Sequence, residues 1–209
     1  MIKDIVRIQY AETALSENWV FKDGSEDKKI PIIFSSFLIC TDNRKILVDA
    51  GCETMSGFDM KNFKTPITAL KEAGIEISDI TDVIITHAHH DHIECAKYFK
   101  NATLYIQQDE YVKGKEYLME NQTIFTFLDE KWIDEDIKIV KIGGHTCGSS
   151  IVECKIKDKI YVICGDECYT SYNLKNKIPT GKSYSPQNSR FFIEKYSKSP
   201  YVCLLSHEL

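Results

Sequence analysis

Short apolar segments separated by turn residues recur along the chain and predict a protein rich in β-strands. Half-buried strands alternate apolar and polar side chains, and fully buried strands are short continuous apolar runs. Such segments lie at residues 2–9, 32–40, 45–48, 83–86 and 103–106, and again at 137–142, 150–155, 159–164 and 201–205. The turn Asp42-Asn43 joins two of these segments into a predicted hairpin, and Lys157-Asp158 joins another pair.

Helical signals lie between the strand segments. Thr65 is a predicted N-cap, Pro66 occupies the first helical position and Gly74 stands where a C-terminal cap belongs. Residues 108–119 and 187–196 also predict helices, and the segment after residue 91 has helical character, whereas residues 121–134 are ambiguous and compatible with a mobile aromatic loop. Two strand-rich halves, each with helices, predict an α/β architecture of two sheets packed face to face with helices outside.

Composition and charge narrow the class of protein. The length of 209 residues fits one domain, residues 1–209, whose core needs no structural metal to stay folded, so a bound metal is expected to be functional. A net charge of −5 argues weakly against a nucleic-acid surface. The longest apolar run, residues 30–40, is too short to span a membrane, and the first ten residues show no secretory signal. We therefore expect a cytoplasmic protein whose eight cysteines, none of them in a C-x-x-C pair, are mostly reduced.

The six histidines are confined to three places, and each place follows a predicted strand. Four of them fall within residues 87–92, in the spacing H-x-H-x-D-H, and the others are His145 and His207. Alternate residues of a tight loop can aim imidazoles at one point, and the aspartate can aim at a neighbouring point. Such a density of ligand side chains is typical of a metal site and unusual for a solvated loop.

These residues resemble the signature of the metallo-β-lactamase superfamily of metal-dependent hydrolases. Beyond H-x-H-x-D-H, the segment ending in Asp49-Ala50-Gly51 is similar to the first motif of the family, His145 to the third, Asp166 to the fourth and His207 to the fifth. Two departures are Cys147, where the family usually has proline, and Glu208, where lactonases usually have aspartate. The resemblance implies a four-layer αβ/βα sandwich.

The resemblance also implies a set of metal ligands. The first metal would be held by His87, His89 and His145, the second by Asp91, His92 and His207, and Asp166 would bridge both. Two divalent ions about 3.5–4 Å apart can share a hydroxide that is nucleophilic at neutral pH. Zinc is expected by default, while manganese, iron and cobalt also suit these ligands. Asp49 is expected to orient a ligand histidine, and His90 is not an expected ligand.

Tyr169, three residues after Asp166, points to a group within the superfamily. A tyrosine so placed is similar to that of the N-acyl homoserine lactone lactonases, which are quorum-quenching enzymes. Its phenol would stabilise the oxyanion that forms when the bridging hydroxide attacks a lactone carbonyl, and Asp91 would help to move a proton to the leaving alkoxide. Tyr169 could equally be a packing residue at a strand exit. The expected substrate is a small ester or lactone, and the protein would be a monomer or a homodimer.

Two other functions stay open, and a third is disfavoured. A glyoxalase-II-type thioester hydrolase shares H-x-H-x-D-H and a pair like His207-Glu208, but it carries an added C-terminal helical domain. A nonenzymatic metal-binding or redox protein could use the cysteines beside iron, although a diiron protein of this superfamily would usually have an acidic residue in place of His89. A nuclease is disfavoured by the net charge.

Overall fold

The computed structural model describes residues 1–209 and divides them into two compact units. The first unit comprises Met1–Glu12 and Phe34–Leu128, and the second comprises Thr13–Ile33 and Asp129–Leu209.

A six-stranded mixed sheet contains the strands of the N-terminal half. The strands are β1 (Ile2–Ser16), β2 (Lys29–Thr41), β3 (Lys45–Val48), β4 (Asp82–Ile85), β5 (Thr103–Gln107) and β6 (Ile124–Phe127), and they lie side by side in sequence order. β2 and β3 form the predicted antiparallel hairpin, and β3 to β6 run parallel. The inner strands β3 and β4 are almost wholly buried, which explains why they read as continuous apolar runs.

The helices of the first unit are short and begin where the sequence indicates. α2 (Pro66–Glu72) is capped by the Thr65 hydroxyl, which accepts a hydrogen bond from the amide of Thr68. α3 (His90–Ile93) follows β4 after a four-residue turn, and α4 (Gln108–Gly114) follows β5 directly. The turn after β4 and the start of α4 after β5 therefore lie at the carboxyl edge of the sheet, where ligands commonly bind in α/β folds.

The second unit contains a five-stranded mixed sheet. Its order is β11 (Tyr201–Leu204), β10 (Lys159–Ile163), β9 (Ser150–Ile156), β8 (Ile137–Lys141) and β7 (Glu130–Asp134), antiparallel except for β10 and β11. Its helices are α1 (Glu17–Val20), α5 (Ser171–Asn176) and α6 (Pro186–Tyr196). Phe192, Ile193 and Tyr196 of α6 belong to a buried apolar cluster with Ile151 and Val162 of the sheet.

The predicted elements are present with a few differences. The first strand continues to Ser16, and the helix expected over 108–119 ends at Gly114, followed by a 3-10 turn. Residues 121–134, which are compatible with a loop from sequence, form the edge strands β6 and β7. An edge strand is paired on one side only, so its side chains need not alternate between buried and exposed positions. β7 also has a register shift, and neither strand shows a clean alternation of apolar and polar residues. No helix has the length and apolar character needed to cross a bilayer.

Candidate metal centre

The H-x-H-x-D-H residues of the first unit lie in the turn between β4 and α3. His87 and His92 are buried, whereas His89 is exposed. The Nε2 of His87 is 3.0 Å from the Nδ1 of His89, and the ring centroids of His87 and His92 are 4.1 Å apart. The Nε2 of His92 is 3.4 Å from a carboxylate oxygen of Asp91. The turn therefore gathers the side chains of all four predicted ligands of this unit.

Asp49 follows β3 and fixes two of these histidines. Its φ of +63° turns the chain, and its carboxylate accepts hydrogen bonds from the amide of Thr86 at 2.8 Å, the hydroxyl of Thr86 at 2.9 Å and the Nδ1–H of His92 at 2.7 Å. Because the Thr86 hydroxyl donates to Asp49, its lone pair faces the Nδ1 of His87 at 3.1 Å. Both histidines thus have Nδ1 engaged as a donor and Nε2 left as a lone pair, the form that binds metal.

Two further side chains support the main chain of this turn, and no motif in the sequence indicates them. The carboxylate of Glu110, which is buried in α4, accepts a hydrogen bond from the amide of Ala88 at 2.9 Å. The hydroxyl of Tyr10 in β1 donates to the main-chain carbonyl of Asp91 at 2.9 Å. Burial, followed by the nearby Asp91 charge, raises the pKa of Tyr10 well above its usual value, so its phenol stays protonated as a donor.

The predicted ligands of the second unit meet around the carboxylate of Asp166. One oxygen, Oδ1, is 2.9 Å from the Nε2 of His207, and the other, Oδ2, is 3.4 Å from the Nε2 of His145. The opposite nitrogen of each ring is held by a main-chain carbonyl, that of Ile33 for His207 at 2.8 Å and that of Lys182 for His145 at 2.9 Å. These carbonyls accept from Nδ1–H and leave both Nε2 atoms directed at Asp166.

Tyr169 belongs to the same cluster. Its hydroxyl donates to the Oδ2 of Asp166 at 2.7 Å, and its ring stacks on His207 with centroids 5.0 Å apart. The side chain is buried, with 4% of its surface exposed. The phenolic proton is therefore directed at the carboxylate of Asp166.

Glu167 is a buried acidic residue that the sequence does not single out. Its Oε1 accepts hydrogen bonds from the amides of Gly144 and His145 and from the hydroxyl of Ser149. Burial is the largest influence on the carboxyl and raises its pKa to about 7, even though these three hydrogen bonds act in the opposite direction. The only sequence signal was a second acidic residue directly after Asp166, between the apolar residues 160–164 and 168–169.

His90 is not among the side chains whose donor atoms cluster into a candidate metal group. Its Nε2 is 2.8 Å from the carbonyl oxygen of Thr54 and 3.0 Å from the carboxylate of Glu94. The same Glu94 oxygen accepts a hydrogen bond from the amide of Glu53 at 2.7 Å. His90 therefore serves to anchor the segment that follows β3.

The donor atoms fit a divalent metal in both chemistry and spacing. All seven predicted ligands belong to groups of histidine and aspartate side chains that could hold a metal ion. A tetrahedral ion with ligand bonds of about 2.0–2.1 Å separates neighbouring donor atoms by about 3.3 Å. The separations within each unit are close to this value: His87 to His89, 3.0 Å; His92 to Asp91, 3.4 Å; His145 to Asp166, 3.4 Å; His207 to Asp166, 2.9 Å.

Cysteine takes no part in these groups. All eight thiols are free, and burial raises the pKa of Cys52 to about 12 and that of Cys95 still further, so both are neutral at ordinary pH.

The profile of the metallo-beta-lactamase superfamily matches residues 34–201. The chain belongs to this superfamily. A probable metallo-hydrolase of Methanocaldococcus jannaschii is 30% identical over 163 residues, which cover 78% of this chain and 70% of the relative. N-acyl homoserine lactonase AiiB of Agrobacterium fabrum is 24% identical over 215 residues, covering 82% and 78%.

A solved structure confirms the predicted fold class. An N-acyl homoserine lactone hydrolase with the product N-hexanoyl-L-homoserine bound at its catalytic metal centre has a TM-score of 0.85 and 18% identity, covering 100% of this chain and 94% of that one. Two mixed sheets with helices are therefore the metallo-β-lactamase fold. The prediction of a metal-dependent hydrolase is likewise confirmed by the family and its relatives, and the histidine and aspartate groups imply divalent metal ions.

Proposed function

We propose that this hydrolase uses two metal ions to open an ester-type bond, and that its substrate is a lactone of the N-acyl homoserine lactone kind. The observation that carries the dinuclear part is the orientation of Asp166, whose two oxygens face two different imidazoles, those of His207 and His145. A carboxylate that offers each oxygen to a separate histidine is suited to bridge two ions.

The ligands are assigned to each ion as the family pattern implies. One ion takes His87, His89 and His145, the other takes Asp91, His92 and His207, and Asp166 serves both. When bound, a pair of divalent ions supplies hydroxide at neutral pH, by lowering the pKa of water toward about 7, and polarises the substrate carbonyl. Imidazole and carboxylate donors make zinc the expected metal, with manganese, iron and cobalt as the alternatives for elemental analysis to test.

Tyr169 is the residue that supports a carbonyl substrate, because attack on a carbonyl group creates an oxyanion that a phenol can stabilise. Its hydroxyl oxygen lies 2.7 Å from a carboxylate oxygen of Asp166, and stacking on His207 fixes the ring. A donor whose ring is already fixed can stabilise negative charge that forms in the transition state, because only its hydroxyl proton has to turn from Asp166 to the substrate oxygen. The phenol therefore donates to the substrate oxygen in the proposed reaction.

Asp91 is suited to move a proton between the site and water. Its side chain is partly exposed, whereas the neighbouring His92 is buried. A carboxylate in such a position can receive a proton from the attacking group and deliver it to the leaving alkoxide, so that the lactone opens to a hydroxy acid. Asp91 thus combines the role of ligand with that of proton carrier.

The choice of a lactone also draws support from relatives. The Agrobacterium relative is an N-acyl homoserine lactonase, and the hydrolase of similar fold binds N-hexanoyl-L-homoserine at its metal centre. Tyr169 stands three residues after Asp166, the spacing on which the resemblance to lactonases rests.

The test follows proton release on a pH-stat when metal-loaded protein meets a panel of acyl homoserine lactones. Opening of the ring should release one proton per lactone at neutral pH. Asp91→Asn should lose this activity, and Asp158→Asn, a change in an exposed turn far along the chain, should keep it. No opening of any lactone, with hydrolysis of a glutathione thioester instead, would refute the lactone and favour the glyoxalase-II-type reaction.

Metal content is tested separately. Elemental analysis of metal-replete protein should give about two ions per chain. One tightly bound ion with full activity would contradict the dinuclear proposal while leaving the substrate open.

A further inference from the structure

Glu167 follows the predicted ligand Asp166 in the sequence, but its side chain accepts hydrogen bonds from the turn that bears His145. The amides of Gly144 and His145 donate to its Oε1 at 3.0 and 3.1 Å, and the hydroxyl of Ser149 donates to the same atom. Glu167 is completely buried. Buried donors that lose their partners cost free energy, so three donors on one oxygen hold the turn in a single arrangement.

The space around Gly144 shows how closely the carboxylate approaches this turn. A Cβ atom at position 144 would lie 2.2 Å from the Oε2 of Glu167 and 2.8 Å from the Oγ of Ser189. Real Cβ atoms do not approach other atoms so closely, and the φ of Gly144 is not one that demands glycine. Glycine is therefore needed here to admit both the carboxylate of Glu167 and the main chain of Ser189, whose nitrogen would lie 3.0 Å from the added Cβ.

His145 is consequently fixed at both ends. Glu167 holds its main-chain amide, and the carbonyl of Lys182 accepts from its Nδ1–H at 2.9 Å. With both constraints in place, Nε2 lies 3.4 Å from the Oδ2 of Asp166. Loss of the main-chain constraint would let this nitrogen move, although the ring would keep its preferred tautomer.

We infer that Glu167 is a positioning residue, which sets the main chain of His145 and through it the affinity of the site for metal. This inference rests on the proposed function, because it takes His145 to be a metal ligand. Glu110 holds the amide of Ala88 between His87 and His89 in the first unit by the same means. Outer partners of metal ligands typically contribute 10–100-fold to affinity.

The experiment measures metal affinity of the full chain by competition with a chromophoric chelator, together with the visible spectrum of the Co²⁺-loaded protein. Glu167→Ala should weaken the binding of one metal equivalent by about 10–100-fold and change the Co²⁺ spectrum. Glu167→Gln should restore affinity and spectrum part of the way toward wild type, because its amide oxygen has two lone pairs and can keep two of the three hydrogen bonds. Phe192→Leu, in the buried cluster of the same unit, should lower the stability of the metal-free protein without changing metal affinity.

Wild-type affinity in Glu167→Ala would overturn the inference, as would an equal loss of affinity in Phe192→Leu at matched stability. If Glu167→Ala fails to fold, Gly144→Ala provides the second variant, since its Cβ displaces the carboxylate while Glu167 remains. Gly144→Ala should also weaken metal binding, and wild-type affinity there would refute the role of Glu167. His145→Ala separates the two proposals: retention of both ions would refute the ligand assignment itself, whereas normal binding in Glu167→Ala alone would refute only the positioning role.

Discussion

Asp49→Asn tests whether the hydrogen bonds of this carboxylate determine the metal-binding form of His92. Asparagine has nearly the same shape and tolerates the φ of +63°. If its amide oxygen continues to accept from the amide of Thr86, its NH2 group faces the Nδ1–H of His92, and two donors oppose each other. His92 must then shift its proton to Nε2, the atom needed for metal, or rotate away.

The magnitude follows from the loss of one charge-assisted hydrogen bond between buried groups. Such a bond contributes about 1.5–3 kcal/mol to the free energy of unfolding. An outer partner of a metal ligand contributes about 10–100-fold to metal affinity, which corresponds to about 1.4–2.7 kcal/mol. We therefore expect Asp49→Asn to lower the free energy of unfolding by about 2 kcal/mol and to weaken the free energy of metal binding by about the same amount.

Asp82→Asn is the matched control. Asp82 is also a buried carboxylate of the first unit and lies at the opposite end of β4, where it accepts from the hydroxyl of Thr81 at 2.6 Å and contacts Arg44 but no histidine. Urea unfolding of metal-free protein should show a comparable loss of stability for both variants, whereas chelator competition should show lower metal affinity only for Asp49→Asn. Wild-type affinity in Asp49→Asn, or an equal loss in Asp82→Asn, would refute the reasoning.

Three further predictions concern single side chains. Tyr169→Phe should lower the turnover of metal-loaded enzyme by about 10²-fold or more with metal content unchanged, and unchanged turnover would reduce this phenol to a packing role. His90→Ala should retain the wild-type number of metal ions in elemental analysis because its Nε2 is bonded to a main-chain carbonyl, whereas His89→Ala should lose metal; equal losses would contradict the ligand assignment. Gly51→Ala should lower the free energy of unfolding by about 2–5 kcal/mol, since φ is +74° and the new Cβ would lie 2.4 Å from a proline ring. Gly74→Ala, where φ is +78° but the Cβ would meet open space, should lower it by only about 1–2 kcal/mol. Urea unfolding measures both changes.

Several features could be predicted because their cause lies within a few residues. The hairpin of β2 and β3 depends on two apolar segments and a short turn, and α2 depends on the cap at Thr65 and the proline after it. The H-x-H-x-D-H turn follows a strand that is apolar because it is buried on both faces. These patterns are local, so a single sequence contains them in full.

The edge strands β6 and β7 could not be predicted in the same way. β6 pairs only with β5 and exposes Phe125, whose ring stacks on Tyr105. A strand of this kind is stabilised by its neighbour rather than by a buried face, and its pattern resembles that of a loop.

The sequence by itself determined the family and the strands that precede the histidines, and it predicted the histidine and aspartate ligands, because each of these features depends on a short contiguous pattern of residues. Only the tertiary structure decided that Asp49 orients His92 in particular, and that Glu110 and Glu167 support the main chain of the turns that bear the predicted ligands. Asp49 reaches His92 across 43 residues, Glu110 reaches Ala88 across 22, and Glu167 reaches Gly144 across 23. Burial makes each of these carboxylates costly unless it accepts several hydrogen bonds, and the donors become available only when distant segments fold against one another.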